Sequence, residues 1–332
     1  MNTVMVTGGA GYIGSHTTLQ LLDAGHRVVV LDNLYSGHRW AVDPRAEFVE
    51  GSISDTALVE RLLSEHGVTT VVHFAGHIVV PESVSDPLKY YENNVAGSIR
   101  LLQACRTAGV KQFVFSSSAA VYGNPEKIPV SEGALTLPIN PYGRTKLMTE
   151  STLEDLSDAP GDFRYVALRY FNVAGAHQGG GLGQSTPEAT HLIKVACEAA
   201  TGKRSSMAIF GSDYDTPDGT CIRDYIHVDD LARAHLDAIS YLEQNGESVS
   251  VNCGYGSGYS VRQVVDCVKK VSGVDFVVKQ QQRRPGDPAE LVADNAKIRQ
   301  IFSWEPQLDD IEVICKSAYN WELALLKRAR ES

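Results

Sequence analysis

The sequence lacks the cysteine pairs and the cysteine–histidine groupings that form zinc sites. Its six cysteines are scattered, with no CxxC motif among positions 105, 197, 221, 253, 267 and 315. Scattered thiols of this kind are typical of buried, reduced side chains in a protein of a reducing compartment. His73 lies in an apolar run that favours a core histidine, and His177 has no partner at ligand spacing. The sequence therefore predicts no metal site.

Long apolar segments and an excess of basic residues are also missing. No apolar run approaches the roughly 20 residues that a membrane-spanning helix requires. The first predicted strand begins almost at the N-terminus, at Val4, so no signal peptide is expected. The formal net charge is -10, whereas a nucleic-acid-binding face is basic. We therefore expect a cytoplasmic protein that binds neither membranes nor nucleic acids.

Apolar runs alternate with helical patterns through the first half of the 332-residue chain. The predicted strands cover residues 4–6, 27–31, 47–50, 70–74, 112–115 and 165–170, and the helical patterns lie between them, notably at 55–66, at 87–108 and from Tyr142 onwards. Strands that alternate with helices in this way form a parallel sheet covered on both faces. The predicted fold class is α/β, with a Rossmann-type doubly wound parallel sheet.

A glycine-rich turn, Thr7–Gly14, follows the first predicted strand and opens into a helical pattern. It satisfies both GxGxxG and GxxGxxG, and a strand, such a turn and a helix in that order form a site for a phosphate group. The second strand ends in Asp32, at roughly the 20-residue distance of the dinucleotide-binding fingerprint. A carboxylate there binds a ribose 2′-hydroxyl and repels a 2′-phosphate, which favours NAD over NADP. A structural turn without a ligand is the alternative.

The pattern loosens beyond about Asn172. Gly179–Gly181 and Gly254–Gly258 are rich in glycine and lie among turn clusters and short helical patterns. We expect residues 1–175 to form the NAD-binding Rossmann domain. Residues 176–332 would mainly form a smaller C-terminal α/β substrate lobe, with some crossing of the chain between the two. A site between the lobes, at the carboxyl edge of the sheet, is the expected location for ligands.

Two segments contain side chains suited to acid–base chemistry. Ser116–Ser118 directly follow the fifth predicted strand, and Tyr142 precedes Lys146 by four residues at a predicted helix start. Residues four apart share a helix face. A phenol has a pKa of about 10 in water, but a nearby ammonium group and an oxidised nicotinamide both favour the phenolate, so Tyr142 can act as a base. Such a pair alone is common on solvated helix faces; with the glycine turn and the serine run it favours catalysis.

These motifs resemble those of the extended short-chain dehydrogenase/reductases, and within them the UDP-galactose/UDP-glucose 4-epimerase family. The resemblance spans nearly the whole chain. Besides the motifs above, the matching segments are Asp32–Leu34, His73–Gly76, Pro87–Val95, Pro141–Gly143, Leu168–Asn172, Ala208–Gly211 and Arg223–Val228. The resemblance implies an NAD-dependent isomerase of galactose metabolism, which epimerises UDP-galactose and UDP-glucose at sugar carbon 4 through a transient 4-keto sugar.

The resemblance also implies roles for individual residues. Tyr142 takes the proton from the sugar 4-hydroxyl while hydride leaves carbon 4 for tightly held NAD⁺, Ser118 hydrogen-bonds the same oxygen, and Lys146 lowers the pKa of Tyr142 and fixes the ribose. Cofactor contacts are implied for Gly8, Gly11, Tyr12, Ile13, Gly14, Asp32, Asn33, Ser52, Ile53, Phe74, Ala75, Gly76, Asn93, Ser116, Tyr142, Lys146 and Phe171. Substrate contacts are implied for Ser118, Tyr142, Asn172, His191, Leu192, Arg223, Arg284, Asp287 and Leu291. Arginines suit this role because their guanidinium groups bind a diphosphate in a bidentate manner.

The chain departs from the family pattern in three places. Ile78 replaces a lysine after the Phe-Ala-Gly segment, Ser52 replaces an acidic residue after the third strand, and Thr190–Leu192 replace Asn-Asn-Leu. The first two changes remove or weaken one cofactor contact each, and the third changes a substrate contact.

Several alternatives remain open. Nucleotide-sugar 4,6-dehydratases and UDP-glucuronate decarboxylases of this fold carry acidic residues where this chain has Ala119 and Ala120, which speaks against both. Epimerases of UDP-pentoses or UDP-N-acetylhexosamines stay open, as does a non-catalytic NAD-binding sensor. Leu291, at the position thought to gate N-acetylated sugars, predicts weak or no turnover of UDP-N-acetylglucosamine. The helices near Leu88–Arg106 and Lys146–Leu156 match those that pair family members, so a homodimer is expected.

Overall fold

A seven-stranded sheet forms the centre of the fold in a computed structural model, which describes residues 2–284 and 287–331. In chain order the strands are β1 (Thr3–Thr7), β2 (Arg27–Asp32), β3 (Glu47–Glu50), β4 (Thr70–His73), β5 (Gln112–Ser116), β6 (Arg164–Tyr170), β7 (Asn172–Ala174), β8 (Met207–Phe210), β9 (Ile222–Arg223), β10 (Tyr225–His227), β11 (Val249–Cys253), β12 (Tyr259–Ser260), β13 (Val278–Gln281) and β14 (Glu290–Leu291). The large sheet has the order β11-β6-β5-β4-β1-β2-β3, and all its neighbouring strands are parallel. This order is that of a doubly wound Rossmann-type sheet. The predicted fold class is confirmed.

Helices cover both faces of this sheet, which is why its central strands are apolar on both faces. The helices are α1 (Tyr12–Asp23), α2 (Thr56–Glu65), α3 (Val80–Ser85), α4 (Pro87–Tyr90), α5 (Gly97–Ala108), α6 (Pro141–Asp158), α7 (Leu192–Ala200), α8 (Val228–Glu243), α9 (Val261–Ser272), α10 (Ala296–Phe302) and α11 (Ile311–Glu331). A π-helical segment, Tyr91–Ala96, joins α4 to α5. Along β1, Val4 and Val6 enter the core beneath α1 and α8, whereas Met5 enters the core beneath α2 and α5.

The six strands predicted from the sequence are all present, and their ends differ from the prediction by at most one residue. The seventh strand, β11, was missed. Its sequence alternates apolar residues with Ser250 and Asn252, and it lies at the edge of the sheet, where only its pairing with β6 identifies it. An edge strand needs no continuous apolar run, so the pattern that marks the other strands is weak here.

The C-terminal part of the chain forms smaller sheets beside the large one. β10 pairs with β7, β13 pairs with β8, and β9 lies between β12 and β14. Helices α7, α9 and α11 pack together against this region. In contrast, α8 and β11 belong to the large sheet and its cover. The division at residue 175 stays a prediction, and the structure adds these two elements to the Rossmann part.

Several buried side chains match the sequence-based expectations. All six cysteines are free and buried. His73 is buried, and its ring nitrogens lie 2.7 Å from Thr7 Oγ1 and 2.9 Å from Ser98 Oγ, so it is a core histidine with both nitrogens satisfied. Across residues 2–284 and 287–331, no helix combines the length and the apolar character that crossing a membrane requires.

Candidate active site

One large cavity, of about 1660 Å³, opens where β1, β2, β4 and β5 end, at the carboxyl edge of the sheet. A pocket for one small ligand usually measures roughly 300–1,000 Å³, so this cavity has room for more than one. Every residue predicted to contact cofactor or substrate lines it: Gly8, Gly11, Tyr12, Ile13, Gly14, Asp32, Asn33, Ser52, Ile53, Phe74, Ala75, Gly76, Asn93, Ser116, Ser118, Tyr142, Lys146, Phe171, Asn172, His191, Leu192, Arg223, Arg284, Asp287 and Leu291. The fold thus brings both predicted sets together, while the role of each residue stays a prediction.

The glycine turn between β1 and α1 forms the floor of the cavity at one end. Gly8 has a φ angle of +75°, and a Cβ atom there would lie 2.6 Å from the backbone nitrogen of Ala75. A Cβ atom at Gly14 would lie 2.2 Å from the carbonyl oxygen of Gly8. The turn can therefore pack this closely against the segment after β4 and against itself only because these residues are glycines. Gly11 precedes α1 and brings no side-chain cap, which leaves the first-turn amides to bind an anion.

Asp32 stands at the end of β2, beside this turn. Its Oδ2 atom accepts a hydrogen bond from the Ala10 backbone nitrogen at 2.9 Å, and its Oδ1 atom accepts one from Leu34 at 2.8 Å. Burial raises the pKa of Asp32, although both hydrogen bonds oppose the shift. A carboxylate fixed at this point fits the ribose hydroxyls of a dinucleotide whose pyrophosphate lies on the glycine turn.

Ser118, Tyr142 and Lys146 meet in the middle of the cavity. Asn140 caps α6, its Oδ1 atom accepting from the Gly143 backbone nitrogen at 2.8 Å, so Tyr142 lies in the first turn of the helix. The Ser118 side chain lies close enough to the Tyr142 phenol to lower its pKa. Lys146 lies one turn further on, with its Nζ atom 5.9 Å from the centroid of the Tyr142 ring. The cavity thus brings together one phenol, one hydroxyl and one ammonium group.

Burial dominates the electrostatics of these groups. It raises the pKa of Tyr142, against the opposing effect of the Ser118 side chain. It also lowers the pKa of Lys146 to about 8, while the Glu150 carboxylate acts in the opposite direction. Burial therefore outweighs the effect of Ser118 on Tyr142, and the role of Lys146 in lowering the pKa of Tyr142 stays a prediction. The positive charge of an oxidised nicotinamide is the further contribution that favours the phenolate.

The far end of the cavity contains the basic residues predicted to contact substrate. Arg223 lies on β9, and its guanidinium group is 3.7 Å from the carboxylate of Asp287. The guanidinium carbon of Arg284 lies 3.8 Å from the centroid of the Phe210 ring. Leu291 on β14 is paired with Arg223 in the small sheet. Two guanidinium groups at one end, and a glycine turn at the other, give the cavity two places for phosphate groups.

Comparison with known proteins agrees with this geometry. Residues 4–254 match the family described as NAD dependent epimerase/dehydratase. The UDP-glucose 4-epimerase of Azospirillum brasilense is 55% identical over 322 residues, which is 97% of this chain and 92% of the relative. The chain belongs to the NAD-dependent epimerase/dehydratase family. The predicted family and the predicted cofactor, NAD, are confirmed.

Solved structures of members of this family superpose closely on the chain. The UDP-glucose 4-epimerase of Brucella ovis in complex with NAD has a TM-score of 0.94 and 46% identity, covering 96% of this chain and 98% of its own. The enzyme of Stenotrophomonas maltophila, with bound NAD and formylated UDP-arabinopyranose, has a TM-score of 0.96 and 38% identity, covering 99% of this chain and 100% of its own.

The structure also shows a buried network behind Tyr142 and Lys146 that sequence reasoning missed. Arg169 donates to both carboxylate oxygens of Glu150, the closest contact being 2.6 Å, and Ser117 donates to the same carboxylate. Glu150 is four residues after Lys146 on α6, so the sequence spacing could have placed it on the same helix face as Tyr142 and Lys146. Tyr170, which lines the cavity, accepts a hydrogen bond from Ser116 at 3.0 Å.

One interpretation from the sequence is wrong: His177 does have partners. Its Nδ1 atom lies 3.2 Å from Asp229 Oδ2, and the Nδ1 atom of His16 lies 2.6 Å from Asp229 Oδ1. The three residues offer ligand atoms within 4.8 Å of one another. Burial raises the pKa of Asp229, but the His16 hydrogen bond and the neighbouring histidines lower it to about 2. An ionised carboxylate thus lies between the two rings and contacts the Nδ1 atom of each, while the buried Nε2 atom of His16 has no hydrogen-bond partner among the described residues.

Proposed function

We propose that this chain is an NAD-dependent UDP-glucose 4-epimerase, which interconverts UDP-galactose and UDP-glucose through a transient 4-keto sugar. The observation that carries the proposal is that Ser118, Tyr142 and Lys146 line the same cavity as the glycine turn and the two cavity arginines. The Azospirillum brasilense and Brucella ovis proteins that the chain resembles have this name, which supports the same reaction.

Tyr142 is the proposed general acid and base. Its phenolate takes the proton from the 4-hydroxyl of the sugar and later returns it to the 4-keto oxygen. Ser118, which lies beside this phenol, donates to the same sugar oxygen. A bound NAD⁺ would supply the hydride chemistry at carbon 4, with removal from one face of the sugar ring and return to the opposite face. Lys146 holds the nicotinamide ribose and adds its positive charge near the phenolate.

The sugar has to turn over between the two hydride transfers, so it cannot be held tightly. Binding energy must come from the UDP part of the substrate. Arg223 and Arg284 provide bidentate donors for the diphosphate, since an acidic protein needs local guanidinium groups for an anionic ligand. Asn172, His191, Leu192 and Asp287 line the same end of the cavity and complete the proposed substrate contacts. Residues 1–175 would then mainly hold NAD, and residues 176–332 mainly the UDP-sugar.

A related reaction is the second candidate. Ala119 and Ala120 form a short 3-10 helix next to Ser118 and line the cavity, and they provide no ionisable group for the elimination of water or for decarboxylation. A 4-epimerase of another UDP-sugar needs no such group. The UDP-arabinopyranose derivative bound to the Stenotrophomonas maltophila enzyme supports UDP-pentoses as alternatives to UDP-hexoses. A non-catalytic NAD sensor explains neither Tyr142 nor Ser118 in the cavity.

We also propose that the enzyme is cytoplasmic and a homodimer. Leu88 of α4 is 77% exposed, and Ile99 of α5 and Met148 of α6 are 38% and 45% exposed. Large apolar side chains exposed on neighbouring helices mark a surface that binds another protein. These are also the helices that pair family members according to the resemblance, so a second copy of the chain is the proposed partner.

The test of the proposed function is incubation of purified protein with UDP-galactose and without added NAD. Samples are quenched, the protein is removed, and the UDP-glucose formed is then measured with a dehydrogenase and fresh NAD. We expect turnover in the wild type and none in Tyr142→Phe. Absence of UDP-glucose, even when NAD is supplied during the incubation, would contradict the proposal; UDP-pentoses assayed in the same way distinguish the second candidate.

A further inference from the structure

The cofactor groove is crossed by a contact that the proposed mechanism does not use. In the large sheet β1 lies between β2 and β4, so the segments that follow β2 and β4 form two walls above the glycine turn. Tyr35 lies in the segment after β2 and lines the cavity, as do His77 and Val80 in the segment after β4. A contact between these two segments therefore spans the groove in which a dinucleotide on the glycine turn would lie.

Lys89 makes that contact. Its Nζ atom donates to the Tyr35 hydroxyl at 2.7 Å, between residues that are 54 positions apart. The same ammonium group donates to Glu82 Oε1 at 2.5 Å, and the other oxygen of Glu82 accepts from Tyr90 at 2.8 Å. Lys89 is thereby held on the wall formed by α3 and α4, and it reaches Tyr35 from a fixed position.

The Tyr35 ring is also packed against that wall. It meets the His77 ring edge to face, with 4.7 Å between the ring centroids. His77 is itself anchored, because its backbone nitrogen donates to Asn94 Oδ1 at 2.8 Å and its carbonyl oxygen accepts from Asn94 Nδ2 at 3.0 Å. Tyr35 therefore makes two independent contacts across the groove, one through its hydroxyl and one through its ring.

A strained backbone turn and two hydrogen bonds fix the loop that carries Tyr35. Leu34 adopts a φ angle of +57°, which is costly for a branched side chain, and its backbone nitrogen is held by Asp32 at 2.8 Å. The next backbone nitrogen, that of Tyr35, donates to Asn33 Oδ1 at 3.1 Å. The strained turn links the carboxylate proposed to hold the ribose directly to the side chain that crosses the groove.

We infer that Tyr35, held by Lys89 and His77, closes the cofactor groove and is a residue that retains NAD in this enzyme. The inference rests on NAD lying along the glycine turn, as in the proposed function. It would supply a contact to the cofactor in a chain where Ile78 and Ser52 stand in place of two family contacts to the cofactor. To leave, the dinucleotide has to break the contacts of Tyr35 first.

The experiment measures release of NAD rather than turnover. Protein is loaded with radiolabelled NAD and diluted into excess unlabelled NAD, and the bound label is followed by filtration for the wild type, Tyr35→Ala, Tyr35→Phe and Lys89→Met. Lys111→Met is the matched control, because Lys111 forms a surface ion pair with Asp162 on the outer end of β5. Far-UV circular dichroism checks that each variant is folded.

We expect Tyr35→Ala to release NAD about tenfold faster, since both contacts across the groove are lost. Tyr35→Phe and Lys89→Met should each release it roughly twofold to fivefold faster, the range of a partly exposed charged contact. The double variant of these two should be no faster than the faster single variant, because they remove the same interaction. Lys111→Met should match the wild type.

Release rates within twofold of the wild type in Tyr35→Ala and Lys89→Met would overturn the inference, as would wild-type protein that loses its label within the mixing time. Both release rates are measured in the absence of any UDP-sugar. Slow release from a protein that does not convert UDP-galactose would refute the proposed reaction and leave the retaining role of Tyr35 intact.

Discussion

The ammonium group of Lys146 donates a hydrogen bond to the backbone carbonyl oxygen of Ser116 at 2.7 Å. This contact ties the first turns of α6 to the end of β5. Because Tyr142 belongs to that helix and Ser118 follows that strand by two residues, the bond fixes the two hydroxyl groups relative to each other. Lys146 therefore positions the proposed acid–base pair in addition to any effect of its charge.

Replacing Tyr142 by phenylalanine should remove the proton transfer and little else. General acid–base catalysis contributes a factor of roughly 10²–10⁴ to an enzymatic rate. We therefore expect kcat for UDP-galactose to fall by about two orders of magnitude or more. The ring remains buried, so folding and NAD content should be unchanged, which absorbance of the denatured protein can check. A Tyr142→Phe enzyme that keeps a tenth of its activity would show that another group carries the proton.

Activity and stability should respond in opposite directions to alkaline pH. Burial lowers the pKa of Lys146 to about 8 from its ordinary value of 10.5, although Glu150 opposes the shift. Above pH 8 the folded enzyme loses the proton of this ammonium group. We therefore expect kcat to fall as pH rises, with a slope that approaches about tenfold per pH unit. Between pH 8 and 10.5 the unfolded chain binds more protons at this group, so its contribution to the free energy of unfolding should rise with pH.

The Lys146→Met variant is the reference for the titration of Lys146, because a methionine side chain has no ionisable proton. The free energy of unfolding of each protein is measured with urea at pH 7.5, 8.5 and 9.5. The value for the wild type minus the value for this variant should increase as pH rises. A difference that stays constant across the three pH values, with kcat of the wild type flat up to pH 9.5, would mean that Lys146 keeps its proton throughout.

Residues close together in the chain could be predicted well. The glycine turn and the first strands follow from local patterns, because strands buried on both faces are continuously apolar. Tyr142 and Lys146 share a helix face at a spacing that is visible in the sequence. The same spacing applied once more, from Lys146 to Glu150, would have indicated the buried carboxylate that faces the lysine.

Contacts between distant parts of the chain could not be predicted. Lys89 reaches Tyr35 across 54 positions, and Asp229 meets His16 across 213; no local periodicity relates such residues, and only the packing of the elements brings them together. The direction of the pKa shift of Tyr142 was also out of reach, since it depends on how deeply the phenol is buried.

Removal of metal ions should leave the enzyme active. Asp229 already accepts hydrogen bonds from His16 and His177 at 2.6 Å and 3.2 Å, so a cation would have to displace a proton and separate these groups before it could bind. We expect full activity after dialysis against EDTA, and no stoichiometric metal by mass spectrometry of the purified protein. Stoichiometric zinc, or activity lost to EDTA and restored by zinc, would make the three residues a metal site.

The enzyme should be a dimer held by the exposed apolar side chains of α4, α5 and α6. Light scattering should give about twice the 36.1 kDa of one chain. Leu88→Asp should shift this mass towards that of one chain, because a charge in an apolar interface stays unpaired. Val277→Asp is the control, since Val277 is also exposed but lies next to β13. A wild-type mass of one chain would contradict the proposed homodimer.

Leu291 should set the tolerance for the group at carbon 2 of the sugar. It is half-buried, lines the large cavity and packs against the cluster formed by Ala119, Tyr122 and Phe171, so an N-acetyl group competes with it for space. We expect weak or no turnover of UDP-N-acetylglucosamine by the wild type. Leu291→Ala should raise kcat/KM for this substrate relative to UDP-glucose by roughly 10-fold or more, the worth of a few methylene groups in a pocket, and Leu291→Tyr should remove any residual activity. Leu323→Ala, on the exposed face of α11, should change neither value. Comparable wild-type rates with UDP-N-acetylglucosamine and UDP-glucose would contradict this role of Leu291. If the wild-type side chain already admits the N-acetyl group, shortening it cannot raise the turnover of the N-acetylated substrate.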